Sequence, residues 1–310
     1  MNQTLLKHVR TLGVGLTFLC GIATSALAAE PLVNVDWVKA NAGKAGVVFI
    51  DFQPASDFLR GHIPGAVNSN YGKDGWREER SDKVPDMLPA NLDKLAETIG
   101  KLGIDNNTHV VLVPPGANST DMGIGTRVYW TFKVLGHDNV SLLDGGMAAY
   151  AKDKANKLEN GAPKADAKTF KINLRKDMIV TAEDVKKAQA ANVLLVDNRP
   201  EDQFVGINRH PKATASGTLA GARNLPNAWM TVNGMGQFRS KAELEKLYKV
   251  ANVPTTGDQI NFCNTGHWAS VGWFVSSELM GNKKARIYDG SMVEWTITKA
   301  GALEQKVKLD

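Results

Sequence analysis

From Pro31 onward, short apolar runs alternate with stretches of helical period, the pattern of an α/β chain. The spacing predicts helices over 35–42, 92–101 and 125–135, the last one amphipathic and closed by Gly136. Strands are predicted over 47–52, 110–113 and 140–143, the first carrying Asp51 near its end. Residues 57–66 hold two glycines and a proline and read as a run into loop. After 178 the order starts again. Helices are predicted over 182–190 and 242–251 and from Ala269 to a stop at Gly281, with strands over 193–197, 259–262 and 285–288. The residues between, 151–178, are rich in Lys, Ala, Asp and Asn with little apolar period, and read as a surface linker.

The two halves look like copies. Asp51 precedes Pro114 by 63 residues and Asp197 precedes Cys263 by 66, while Gly136 to Asp144 and Gly281 to Asp289 are both 8 apart. Alternating strands and helices imply two tandem α/β domains, 32–150 and 179–310, each a mainly parallel sheet flanked by helices. In this register Pro114 occupies the place of Cys263, so only the second half can use a cysteine there.

The first 28 residues change the picture of the rest. Lys7 and Arg10 precede an uncharged, mostly apolar run over 12–23, and Ala26-Leu27-Ala28 gives small residues at a cleavage site. This pattern predicts a secretory signal peptide cut after Ala28, a periplasmic or secreted protein, and no stable membrane association after cleavage. Positive charges then fall from 37 to 35 against 32 acidic residues, a net charge of about +3 that is too small and scattered for nucleic acid. Of the two cysteines, Cys20 leaves with the leader, so Cys263 is the one thiol of the mature chain and no internal disulfide is expected.

Cys263 lies between a strand end and a helix start, in Ile-Asn-Phe-Cys-Asn-Thr-Gly-His-Trp-Ala-Ser-Val-Gly over 260–272. Unpaired N–H groups and the helix dipole there favour thiolate, the nucleophilic form. The alternative is a buried cysteine acting as a small hydrophobe. The histidines His109, His137 and His210 show no ligand spacing, so neither metal nor other cofactor is expected, and His62 reads as a turn hydrogen-bonder. Arg127 and Trp130 are candidates for lining the interface between the halves, where two-lobed proteins often place a cleft.

Across both halves, in order, stand Gly61-His62-Ile63-Pro64-Gly65-Ala66, the helix Thr126-Arg127-Val128-Tyr129-Trp130-Thr131-Phe132 with Gly136-His137, Val196-Asp197-Asn198-Arg199, and Tyr288-Asp289-Gly290-Ser291 with Glu294-Trp295. In this order they resemble the motifs of the tandem-domain rhodaneses, the thiosulfate and 3-mercaptopyruvate sulfurtransferases. The second-half turn Gly217-Thr218-Leu219-Ala220-Gly221-Ala222 lacks the His-Ile-Pro core. The resemblance implies that Cys263 takes a sulfane sulfur from a small-molecule donor as a persulfide and hands it to cyanide or a thiol, with thiosulfate the main donor and 3-mercaptopyruvate the alternative.

On that reading the loop amides from Asn264 onward surround the sulfur, Gly266 supplies the unusual backbone conformation, and Arg199 grips the anionic donor. The alternative for Arg199 is a salt bridge with Asp197 or Asp202. His267 either donates to the sulfur or points into solvent, and Trp268 either shapes the pocket mouth or packs between domains. The loop Asn264-Thr265-Gly266-His267-Trp268 has neither the basic residues typical of thiosulfate enzymes nor the Gly-Ser-Gly of mercaptopyruvate enzymes. A Cys-x5-Arg phosphatase is disfavoured because Ala269 stands where its arginine would be. A persulfide carrier without fast turnover needs the same Cys263 and stays open.

Overall fold

The computed structural model describes residues 29–309, so the expected leader lies outside the described residues. Two five-stranded sheets share one strand order. In the first half β1 (Leu32–Val33), β2 (Val47–Asp51), β3 (Val67–Asn68), β4 (His109–Val113) and β5 (Val140–Leu143) are arranged 1-5-4-2-3. In the second half come β6 (Ile179–Val180), β7 (Leu194–Asp197), β8 (Thr218–Leu219), β9 (Arg223–Asn224), β10 (Gln259–Phe262), β11 (Ala285–Tyr288) and β12 (Leu303–Glu304). Five of these form the order 6-11-10-7-9, and β12 pairs with β8 in a separate antiparallel ribbon. Every pairing within the two large sheets is parallel. The centre of one sheet is β4, which ends before Pro114, and the centre of the other is β10, which ends before Cys263.

Both faces of these strands are covered, which is why they read as continuous apolar runs. Side chains alternate between two cores. Along β4, Val110 and Leu112 face a core shared by both halves, while Val111 and Val113 face helices private to the first half. Val196 and Ile287 likewise face the shared core, and Leu195 and Tyr288 a core private to the second half. The private helices include α1 (Val35–Asn41), α2 (Ala55–Arg60) and, further along, α5 (Gly146–Lys152) and α6 (Ala182–Ala190). On the shared side stand α3 (Leu92–Lys101), α4 (Ser119–Val134), α8 (Lys241–Val250) and α9 (His267–Trp273); the short α7 (Glu201–Phe204) and α10 (Ser291–Ile297) complete the second half.

Two predicted helices differ in the structure. The helix expected over 125–135 starts earlier, at Ser119, where the Asn118 side chain caps it by accepting from Asp121 N–H, and it is not amphipathic. Twelve of its 16 residues are buried, because one side lies on the first sheet and the other on α9 of the second half. The helix after Cys263 is α-helical only through Trp273 and continues as a π-helix over Phe274–Leu279. The stretch expected as a surface linker is pinned to the first half. Phe170 is buried against Phe132 and His137, and Lys168 and Asn173 N–H donate to the carbonyls of Gly100 and Leu135. A Cβ at Gly100 would lie inside van der Waals contact of the Lys168 carbonyl oxygen, so glycine there lets the strap lie flat.

The strand-end acids of the two halves have diverged. Asp197 accepts from Arg199 Nε (2.9 Å) and Nη2 (2.6 Å) and from Thr218 Oγ1 (2.8 Å). Asp51 has only Gln53 in the arginine's place, through its backbone N–H (2.8 Å) and Nε2 (2.9 Å). Burial pushes the Asp51 carboxyl up to about 6, against the pull of Gln53 and His62. Between about 4 and 6 the native protein therefore holds a proton that the unfolded chain has released. The Asp51 contribution to stability is thus largest at low pH and is lost as pH rises through about 6. Asp51→Asn should abolish this slope: from pH 7 to pH 4.5 the variant should lose about 2 kcal/mol relative to wild type. Urea unfolding of both proteins at the two pH values checks this, and a constant difference contradicts it.

Candidate functional site

The Cys263 loop is stapled by the turn that follows β11. Cys263 N–H (3.0 Å) and Gly266 N–H (3.2 Å) both donate to Ser291 Oγ, whose hydroxyl donates to the Tyr288 carbonyl (2.8 Å). In return, Met292 and Val293 N–H donate to the carbonyls of Cys263 and Asn264, each at 3.0 Å. Asn264 Nδ2 donates to Gln203 Oε1 (2.9 Å), and Gly266, with φ of 75°, turns the chain into α9.

The first half preserves this framework without the cysteine. Met147 and Ala148 N–H donate to the carbonyls of Pro114 and Pro115, and Gly146 (φ 57°) adopts the left-handed conformation of Ser291 (φ 51°). Pro114 has no N–H, so its turn needs no hydroxyl. Ser291 is therefore a site residue that the sequence showed only as part of a motif; its serine-for-glycine difference between the two turns is the signal that was available.

Cys263 is free and only 1% exposed. Burial pushes its thiol up; the backbone N–H groups of Ala269, Thr265 and Trp268 pull it down, and the Asp197 charge adds to the rise. The net direction is upward, so the expected preference for thiolate at rest is corrected: desolvation outweighs the amides. Those amides nevertheless converge on the sulfur and are placed to stabilise an anion once one forms there.

Above the sulfur lies a cavity of about 330 Å³ between the halves. Cys263, Asn264, Thr265, His267, Trp268 and His210 line it from the second half, and Tyr71, Arg77, Thr120, Asp121 and Ile124 from the first. Arg199 is not among them. Its guanidinium is held by Asp197 and by the Gly217 carbonyl (2.8 Å) at 1% exposure, so the structure realises the salt-bridge alternative and corrects the donor-binding expectation. The arginine that faces the cavity is Arg77, which stacks on the Tyr71 ring (4.5 Å to the centroid) and pairs with Asp86 (2.8 Å). Tyr71 and Arg77 come from a segment, 69–91, with almost no regular secondary structure, so periodicity had nothing to report there.

His267 takes neither of its expected orientations. Nε2 lies 2.8 Å from the Thr120 carbonyl, which can only accept, so that nitrogen carries the proton and Nδ1 accepts from the Tyr71 hydroxyl (3.2 Å). Trp268 Nε1 donates to Thr120 Oγ1 (3.0 Å), so the indole both lines the cavity and joins the halves. Arg127 lies at the interface, in a buried ion pair with Asp289, and stacks 4.7 Å from the Trp130 ring centroid, but neither residue lines the cavity. His62 Nδ1 bonds to the Phe58 carbonyl (2.8 Å). Among the described residues, no group of three or more His, Cys, Asp or Glu side chains could hold a metal ion, and no helix is long and apolar enough to cross a membrane.

Burial holds the His267 ring at a pKa of about 4, below the ordinary 6.5. The stability gained by burying this ring neutral is therefore fully present above about 6.5 and is lost as pH falls towards 4, where the buried ring takes up a proton while Nε2–H still donates to Thr120. An NMR titration should show this imidazole as the neutral Nε2–H form at pH 5.5; a midpoint near 6.5 would contradict the assignment.

Comparison with known proteins accords with this arrangement. The family model described as Rhodanese-like domain matches twice, over residues 34–153 and 181–298. The chain is 32% identical over 274 residues to a Saccharopolyspora erythraea protein named "Putative thiosulfate sulfurtransferase", covering 86% of this chain and 93% of that one. It is 29% identical over 280 residues to "Sulfur carrier protein TtuD" of Thermus thermophilus, covering 86% and 93%. Among solved structures, SseA from Escherichia coli, described as a 3-mercaptopyruvate sulfotransferase, superposes with a TM-score of 0.73 at 23% identity, over 85% of this chain and 99% of that one. With both halves matched and the cysteine loop at the end of the central strand of the second, the chain belongs to the rhodanese-like domain family as a tandem pair.

Proposed function

We propose that the protein is a sulfurtransferase that moves a sulfane sulfur from thiosulfate or a similar donor to cyanide or a thiol through a persulfide on Cys263. The observation that carries this reading is the position of Cys263: the one thiol outside the leader lies at the base of an inter-domain cavity with three backbone amides converging on it. The kinship with a protein named as a thiosulfate sulfurtransferase supports thiosulfate as the donor.

In the first step the thiol gives up its proton and the thiolate attacks the outer sulfur of thiosulfate. A new sulfur–sulfur bond forms, the old one breaks, and sulfite leaves with the bonding pair. The persulfide is an anion, and the amides of Thr265, Trp268 and Ala269 are fixed before it forms, so its charge is stabilised without reorganisation. Cyanide or a thiolate then attacks the outer sulfur and Cys263 leaves as thiolate. Arg77, in place of Arg199, attracts the doubly charged donor to the cavity. Asn264, Thr265, His267 and Trp268 shape the space it enters. The charge pattern and cleavage site of residues 1–28 support export to the periplasm or medium.

A second reading is favoured by one observation, the similarity to a protein named as a sulfur carrier. A carrier would load one sulfur on Cys263 and hold it for a partner. Steady-state thiocyanate production from thiosulfate and cyanide separates the two: many turnovers per chain support the enzyme, whereas a single stoichiometric burst overturns it. Cys263→Ser should lower turnover at least about a thousandfold with the fold intact. Arg77→Ala should raise the KM for thiosulfate roughly tenfold while kcat changes little, the signature of lost donor binding; an unchanged KM removes Arg77 from the site.

A further inference from the structure

Arg127 belongs to the half without the cysteine, yet it lies directly beneath the cysteine loop. It projects from α4 at 1% exposure and pairs with Asp289, itself 4% exposed, on the far side of the interface. Asp289 also accepts the N–H of Leu88 (2.7 Å), and Arg127 Nη2 reaches the Asp86 carbonyl (3.4 Å), so both charges are tied to the first-half loop. Gly266 rests on this pair. A Cβ built there would come 2.5 Å from Arg127 Nη1, 2.6 Å from Asp289 Oδ1 and 2.7 Å from the Asp289 carbonyl.

The related turn in the first half shows what is special about this arrangement. Asp144 accepts the N–H of Phe238 (2.9 Å) from the opposite half, as Asp289 accepts that of Leu88. Among the described residues, however, Asp144 forms no ion pair, and its carboxyl is pushed up by burial. The reciprocal aspartate–amide contact thus occurs on both sides of the interface, while the arginine occurs only beneath the loop that carries a cysteine. Burial works against the Arg127 charge, but Asp289, Tyr71 and Cys263 together more than offset it, so the guanidinium stays charged.

We propose that Arg127 is a positioning residue for sulfur transfer: with Asp289 it forms a floor under Gly266 that fixes the loop amides around the Cys263 sulfur. This rests on the reading of Cys263 as the sulfur-accepting group. Peptide planes are rigid, so the direction of the Thr265 and Trp268 N–H bonds follows from the dihedral angles on either side of Gly266. A shorter or unforked side chain at 127 lets Gly266 sink and the amides swing away, while the donor-facing Arg77 stays in place.

The test uses the full chain with Arg127→Met, Arg127→Lys and Gly266→Ala, each checked for folding by near-ultraviolet circular dichroism. Two quantities are read: thiosulfate-to-cyanide turnover, and the rate at which iodoacetamide alkylates Cys263 at pH 8. Arg127→Met should lower kcat about 100-fold with KM for thiosulfate within about threefold of wild type. Its alkylation rate should fall roughly tenfold, because the thiolate has lost aligned donors. Arg127→Lys should not restore either quantity, since one ammonium cannot reproduce the fork. Gly266→Ala should reproduce both losses with Arg127 present. A folded Arg127→Met protein with wild-type kcat and alkylation overturns the proposal, as does a loss confined to KM. If the Arg127 variants do not fold, Gly266→Ala and Asp289→Asn carry the same two readings. If wild type itself shows no turnover, the proposed reaction fails, while the alkylation rates still decide the role of Arg127.

Discussion

Everything about the site depends on the packing of α4 against α9 across the two halves. That contact joins polar groups of the two halves. Thr126 Oγ1 and Ser270 Oγ meet at 2.7 Å, Thr120 receives His267 and Trp268, and Arg127 meets Asp289. Losing either partner of the Arg127–Asp289 pair would leave an uncompensated buried charge, which favours one register for the interface. Close approach is needed as well: a Cβ at Gly123 would meet the His267 ring at 2.5 Å from Nε2. The shared core thus runs through this seam, beside the cavity that Cys263 lines.

The duplication explains how a site can be carried by one half and built by both. The two sheets keep the same order, and the two turns keep the same backbone bonds to the residue after the central strand. Against that common frame the differences carry the chemistry. Proline replaces cysteine, glycine replaces the serine that binds the cysteine N–H, and glutamine replaces the arginine that neutralises the strand-end acid. Arg199 is then understood as a structural partner of Asp197, needed because a buried carboxylate without a counter-charge behaves like Asp51, whose proton is held to about pH 6.

Most strands were legible because a buried parallel strand is a short apolar run, and 285–288 was read to the residue. The repeat, the position of Cys263 and its loop could also be read, since fixed spacing survives in one dimension. Arg199 was misassigned because a guanidinium two residues after a strand-end acid looks the same whether it faces a ligand or folds back onto that acid. His267 was undecidable for a related reason: its partners, Tyr71 and Thr120, are 196 and 147 residues away. The helical span of α4 was underestimated because glycines at 123 and 125 look like breakers, whereas here they admit the His267 ring and the Leu142 and Pro114 side chains. Contacts between halves leave no period in the sequence, and the part of the site that was missed is the part made by such contacts.

The central claim is that Cys263 itself carries the transferred sulfur. Mass spectrometry of the protein after brief exposure to thiosulfate, with the peptide containing Cys263 isolated, tests it most directly. That peptide should gain about 32 Da, one sulfur atom, and lose it on addition of cyanide. A protein that turns over thiosulfate while this peptide keeps its original mass, or whose added sulfur survives cyanide, would contradict it.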